Sequence, residues 1–511
     1  MKIFNKLLKN NGVSPVIGVI LLVAVTVSLV ALATLIVFDT GGKISEPSYS
    51  TTLDINEKSD SIEIQVLRNN NIDGLRVIYP DGSKDDFDGS VGSSTSLPIK
   101  DSGTYSIVSI SENNRETIRT ITVSESDISN SATLTGVISI NPNIPDATVE
   151  AYDSNNNIIE SDITDSNGVY ELNVDSDNVD RLVATSEGDV TLNGEPVYAG
   201  AEITNINSET INFNFDENNV TSGITVDGVS ITVANTLEGS SEPTVIPVSN
   251  IGQLQAVTEN MAGDYEIIRN IDASQTKQWN NGDGFEPIGK LGSDTGFKGS
   301  ISGNGYTIDN LYINRPTEDS IGLIGFLSDS SSIKNIGVTN INITGNQYVG
   351  GLVGHNRGDS IIEGSYSTGT VNGSQNVGGL IGINVNMFGK INVIDTYSTA
   401  DVSGDSMVGG LIGIHDGGGG SADTIVSSSY STGSVTGNTN MGGLVGYNNM
   451  GTIQKSYWDI NSSGLSTSSG GIGLSTDKMQ GSKSETNMNG LDFTGVWNTV
   501  ADDYPVLQWQ D

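Results

Sequence analysis

The 511-residue chain has no cysteine, two histidines and 23 basic residues against 61 acidic ones. Without thiols there are no disulfides and no thiolate nucleophiles, so stability has to come from packing and strand pairing. The shortage of Lys and Arg leaves a formal net charge of −38. No basic stripe exists to neutralise phosphates, which argues against a nucleic-acid partner. The chain also lacks a His-Glu-x-x-His metallopeptidase motif, a Gly-x-Ser-x-Gly elbow and a P-loop. What it has in quantity is Gly, 63 residues of it, with many Asn, Ser and Thr spaced by recurring Ile and Val. That composition reads as a turn-rich β protein rather than a disordered one. The acids are dispersed, which favours solubility, also in high salt; calcium is the second reading of so many carboxylates.

One long hydrophobic run stands near the start. Val16 to Phe38 carries no charge, roughly 23 residues or about 34 Å of helix, enough to span a bilayer core. Lys2, Lys6 and Lys9 precede it and Asp39 follows, so the C-terminal bulk is expected outside the cell. Ala31-Leu32-Ala33 would pass as a signal-peptidase site, but the apolar run before it is long for a signal and continues beyond it. The stretch Gly12-Val13-Ser14-Pro15-Val16-Ile17-Gly18-Val19-Ile20-Leu21 resembles archaeal type IV pilin-like precursors. The resemblance implies a leader over residues 1–12, cut between Gly12 and Val13 by a prepilin peptidase. The mature chain would keep a helix over 13–39 that packs with other pilin subunits or holds the protein in the membrane.

Alternating strands follow. Ser61 to Leu67, Leu75 to Tyr79, Thr104 to Ile110 and Thr117 to Val123, separated by turns such as Pro80-Asp81-Gly82-Ser83, make a β-sandwich head over 40–127. A second sandwich covers 128–217. Its Thr164-Asp165-Ser166-Asn167-Gly168-Val169-Tyr170-Glu171-Leu172 resembles carboxypeptidase regulatory-like modules, which implies a structural spacer. Residues 218–246 read as a connector with some strand character. A helix from Ile251 to Met261, the one helix expected outside the N-terminal run, would be capped by Ser249 or Asn250.

From 247 to 511 the chain repeats itself. Val349-Gly350-Gly351-Leu352-Val353-Gly354 recurs as Val377 to Gly382, Val408 to Gly413 and Met441 to Gly446, about 28–33 residues apart. Between copies sit Ser365-Tyr366-Ser367-Thr368-Gly369, Thr396-Tyr397-Ser398, Ser429-Tyr430-Ser431 and Ser456-Tyr457-Trp458. Each unit has too few apolar residues to bury a core alone, so the units must stack, Leu on Leu and Ile on Val. We read a right-handed parallel β-helix. These repeats, the lead-in Asp283-Gly284-Phe285 and the tail Trp497…Tyr504-Pro505-Val506-Leu507 resemble the GLUG-repeat surface proteins. The resemblance implies an exposed rod and names no ligand.

The fold class expected is therefore mainly β: an N-terminal transmembrane helix, two small sandwiches and a C-terminal β-helix. Candidate chemistry is thin. His355 and His415 follow the Gly-Gly-Leu-x-Gly motif with an offset of one residue and are expected as solvent-exposed loop residues. Asp395, Asp401, Asp405 and Asp416 would have to face each other across a groove to act as a glycosidase. Asp153-Ser154-Asn155 opens like a calcium loop but has Ile158 where that loop needs Gly, so a hairpin turn is preferred; no cofactor is expected. Tyr366, Tyr397, Tyr430 and Tyr457 should form a column. Parity with Ile362, Val393, Val426 and Ile453 places it in the core, whereas Gly364, Asp395, Ser428 and Lys455 in between argue for an exposed ladder that contacts sugar rings. Asn219, Asn342, Asn372 and Asn461 are candidate glycosylation acceptors.

Taken with the two resemblances, the residues are expected to make a non-enzymatic cell-surface or pilus-associated adhesin. Its expected partners are the membrane, other pilin subunits, and an extracellular polymer or cell-surface glycan. A carbohydrate-active β-helix enzyme and an envelope component without a ligand are the alternatives.

Overall fold

The structure, a computed structural model, describes residues 52–510 outside a set of short segments, the longest of them 124–130. The leader, the Gly12–Val13 junction and the helix expected over 13–39 lie outside the described residues. Among the described residues no helix is long and apolar enough to cross a membrane. The chain divides into two compact units, Met1–Ser129 and Asn130–Asp511.

In the first unit, Thr52–Glu57, Ser61–Arg68 and Ser94–Pro98 form one antiparallel sheet. Lys84–Phe87, Gly74–Ile78, Gly103–Ser111 and Asn114–Val123 form another. The inward side chains Ile64, Val66, Leu75, Val77, Tyr105 and Ile107 make a single small core, and within Ser61–Arg68, Gly74–Ile78 and Gly103–Ser111 they sit two residues apart.

The second unit begins as a sandwich. A six-stranded sheet runs in the order Ile158–Ile163, Thr148–Tyr152, Arg181–Leu192, Glu195–Ile203, Val229–Ala234, Val220–Val226, opposite a three-stranded sheet built on Ser131–Ser139. The last two strands of the larger sheet come from 218–246, so the expected connector belongs to the sandwich. Its chain also runs on into the rod without a break in packing. Tyr152, Val183, Tyr198 and Val233 share one apolar cluster with Ile251, Leu254 and the rod interior. Arg181 lies 4.1 Å over the Tyr152 ring, and Glu150 takes two hydrogen bonds from Arg269, at 2.7 and 2.8 Å. The expected helix is shorter than its sequence span: Ile251–Ala256 is α-helical and Val257–Glu259 continues as a 3-10 turn. Asn250 caps it by accepting from the Gln253 N–H. It is not the only soluble helix, because Thr476–Met479 and Ser482–Asn487 follow near the C-terminus.

The rod is a parallel β-solenoid of about eight turns, with an eight-stranded sheet along one side. The repeat motif explains its cross-section. Leu352, Leu380, Leu411 and Leu444 stack in the interior, as do Val353, Ile381, Ile412 and Val445, all fully buried. Each such side chain stabilises the rod by about 1.5–3 kcal/mol. The second Gly of each Gly-Gly pair is needed for close approach rather than for a turn. A β-carbon on Gly379 would collide with the Gly410 carbonyl and the Ser398 hydroxyl. In the last coil Trp458 takes the place of that serine and closes the interior.

Candidate functional site

The tyrosines form a regular stacked column along the rod. The rings of Tyr366 and Tyr397 stack at 4.7 Å and 2°, and those of Tyr397 and Tyr430 at 4.9 Å and 5°. They ride on strands whose register sets Tyr on Tyr in successive turns. The column is not in the rod interior. Val338, paired with Ser367, faces the lumen, so the neighbouring Tyr366 faces outward. The reason is the corner just before it. Gly364, Asp395, Ser428 and Lys455 all adopt left-handed backbone with φ of 50–56°, and a left-handed corner breaks the two-residue alternation. Ile362, Val393 and Val426 therefore point in while the tyrosines point out.

Outward does not mean exposed. The C-terminal segment, residues 475–510, folds back along the rod as a strap and buries the column to between 1 and 6% exposure. Met479, Met488, Leu491, Trp497 and Leu507 pack on the rings. The hydroxyls are taken as well. Tyr430 donates to the Pro505 carbonyl at 2.5 Å, Tyr457 accepts from the Gly490 N–H at 2.8 Å, and Tyr397 meets Gln510. Trp509 reaches the Gly364 carbonyl at 3.0 Å. Desolvation under the strap raises the Tyr397 and Tyr430 pKa values above that of a free phenol. With the strap in place the ladder has no free ring face or hydroxyl to offer a sugar.

Both histidines are buried, which corrects the expectation of exposed loop residues. The one-residue offset does aim them differently. His355 sits on the outer side between Phe326 and Tyr348, with ring centroids at 5.2 and 5.1 Å. His415 lies in the interior, in a polar column that runs Asn356, Asn384, His415. Asn356 donates to Asn384 at 2.8 Å, and Asn384 meets the His415 Nδ1 at 3.0 Å. Burial pushes both imidazoles down to about 4, so they are neutral at pH 7.

The four clustered aspartates are each held by their own neighbours. Asp395 accepts from Trp497 Nε1 at 3.1 Å, and its pKa is raised by burial. Asp401 accepts from the Ser434 hydroxyl and N–H, Asp405 from Asn438, and Asp416 from Asn449 and the Gly418 N–H. Asp153 caps a turn through the N–H groups of Asn155 and Asn157, and Asp165 does so through those of Asn167 and Val169. Among the described residues no group of three or more His, Asp or Glu is arranged to hold a metal. Of the sequons, Asn342 and Asn461 are exposed and Asn219 and Asn372 are half-buried. Asn372 already accepts from the Ser403 hydroxyl at 2.6 Å.

Against known proteins, residues 11–51 match the N-terminal segment of archaeal type IV pilins, and residues 345–372 match the GLUG motif. Over 218 residues, 41% of the chain, it is 34% identical to halomucin of Haloquadratum walsbyi. Over 97 residues, 18% of the chain, it is 34% identical to a putative Gly-rich membrane protein of Evansella cellulosilytica. These matches span 2% and 11% of the two relatives. A biofilm-associated protein BSP domain aligns at 16% identity over 36% of this chain and 28% of its own, with a TM-score of 0.12.

The strap and the polar column escaped the sequence reading. The column had a visible signal. Asn356, Asn384, His415 and Asn448 each stand two residues after the last Gly of a Gly-Gly-Leu-x-Gly copy. Read at that register, His415 is an asparagine position filled by histidine.

Proposed function

We propose that this protein is an adhesin held at the cell surface by a pilin-type N-terminus, with the solenoid presented outward for attachment. The observation that carries the reading is the pairing of a pilin-like segment at residues 11–51 with a GLUG-type repeat rod. Cleavage between Gly12 and Val13 would leave the helix over 13–39 to anchor the chain in the membrane or among pilin subunits. The 128–217 sandwich, in this reading a carboxypeptidase regulatory-like module, serves as the rod's N-terminal cap. Contacts with an extracellular polymer or cell-surface glycan would be individually weak and add up when many copies engage one surface. Asn342 and Asn461, the exposed sequons, are the glycan acceptors. We assign no catalytic role, because each clustered aspartate is occupied by local hydrogen bonds.

Deletion of the gene in its own host tests this reading. Cells lacking the chain should attach less to surfaces and to one another, and re-expression should restore attachment. Unchanged attachment would leave only an envelope component without a ligand. N-terminal sequencing of the mature protein tests the anchor: Val13 as first residue is expected, while a start near Thr34 means free secretion.

A further inference from the structure

A small cavity opens where the sandwich meets the rod, between the strands Val220–Val226 and Val229–Ala234 and the Ile251–Ala256 helix. It encloses about 280 Å³, at the small end of ligand cavities. Its floor is apolar: Val233, Val248 and Tyr265 are 1, 1 and 4% exposed. Its rim is made of amides and hydroxyls, chiefly Asn219, Thr221 and Asn235. No lysine or arginine lines it, and Glu259 is the only carboxylate there, although the chain carries 61 acids. Elsewhere in the rod amides such as Asn356 and Asn346 find protein partners in Asn384 and Asp319, and inside this cavity Gln253 spends its amide on the Gly200 and Ala234 carbonyls. The side chains of Asn219, Thr221 and Asn235 are bonded to no other side chain or backbone group among the described residues.

We infer that this cavity binds one neutral hexopyranose unit. The chemistry fits on three counts. A sugar hydroxyl is donor and acceptor at once, and so is each amide or hydroxyl on the rim. The C–H face of a pyranose ring matches the apolar floor, which a free ion or a peptide amide would not use. The lack of basic groups disfavours an anionic ligand, and a single carboxylate makes a poor cation site. The volume admits one ring and not a chain of them, so the site takes the terminal residue of a polymer or a free monosaccharide. This inference rests on the adhesin reading for its biological meaning, but not for its physical test.

The test uses the full chain in a detergent without a sugar headgroup, and saturation-transfer NMR with glucose, galactose and mannose at about 10 mM each, a concentration suited to millimolar affinity. Transfer to at least one of the three is expected. Thr221→Trp fills the cavity and should abolish it. Asn235→Ala, a smaller change, should weaken binding about fivefold, the loss of one hydrogen bond, with the unfolding midpoint unchanged. A polysaccharide ending in the same sugar should compete for the site, which makes polymer ends the source; failure to compete assigns the site to free monosaccharide. Absence of transfer for all three sugars, or equal transfer in wild type and both variants, overturns the inference. So does a glycan found covalently on Asn219, which would fill the cavity itself. The adhesin reading is judged apart: unchanged attachment on deletion with transfer present sinks adhesion alone, and lost attachment without transfer sinks the cavity alone.

Discussion

The side-chain amide of Asn384 lies 3.0 Å from Nδ1 of His415, inside the solenoid and one coil away. An amide N–H can only donate, so Nδ1 accepts and the neutral ring carries its proton on Nε2. Desolvation is what holds this imidazole, and that of His355, at about 4. The unfolded chain binds those protons near pH 6.5 and the folded chain only near pH 4. The stability these two histidines contribute is therefore complete above about pH 6.5, is lost as the pH drops between about 6.5 and 4, and changes no further below.

We expect each histidine to cost about 3 kcal/mol at pH 4 relative to pH 7.5. His415→Asn restores the column residue found in the coils before it. In urea unfolding at a series of pH values, this variant should match wild type at pH 7.5 and exceed it by that amount at pH 4. Parallel curves would show that His415 is not held neutral by burial.

The strap makes a second prediction. Trp497 is fully buried against Tyr397 and Tyr430, with centroids at 6.0 and 5.5 Å. Trp497→Ala should destabilise the rod by about 3–5 kcal/mol and make the tyrosine column accessible to iodination in the native state. Destabilisation without new tyrosine reactivity would mean that the strap does not cover the ladder.

A third prediction concerns the repeat motif. Gly379→Ala adds a methyl that meets backbone of the next coil, so the coils must part to admit it. The expected cost is about 1–3 kcal/mol, read as a lower midpoint in thermal unfolding. A neutral effect would show that the spacing of the Gly-Gly pairs is not a packing requirement.

The parts of the fold legible in the sequence were those governed by local periodicity. Leu352, Leu380 and Leu411 hold the same place in each Gly-Gly-Leu-x-Gly copy, and an interior column follows directly from stacking. The tyrosines show where that reasoning stops. Counting by two from Val393 to Tyr397 assumes an unbroken strand, and the left-handed corner at Asp395 turns the chain between them. Asp and Lys tolerate that conformation less readily than Gly, so nothing in their identity announced it. The strap was out of reach for another reason. Trp497 and Tyr397 are 100 residues apart, and only tertiary packing brings them together. The same holds for the cavity beside Thr221, whose walls come from the presumed connector and from the helix that follows it.

The central claim is that the rod stands outside the cell. Because the chain has no cysteine, one introduced thiol reports its own location. Gln375 is exposed on the outer surface of the rod, and Gln375→Cys should leave the interior columns intact. A membrane-impermeant maleimide applied to intact cells of the native host should label this variant as fully as it does after lysis. Labelling that appears only once the cells are broken would contradict the account.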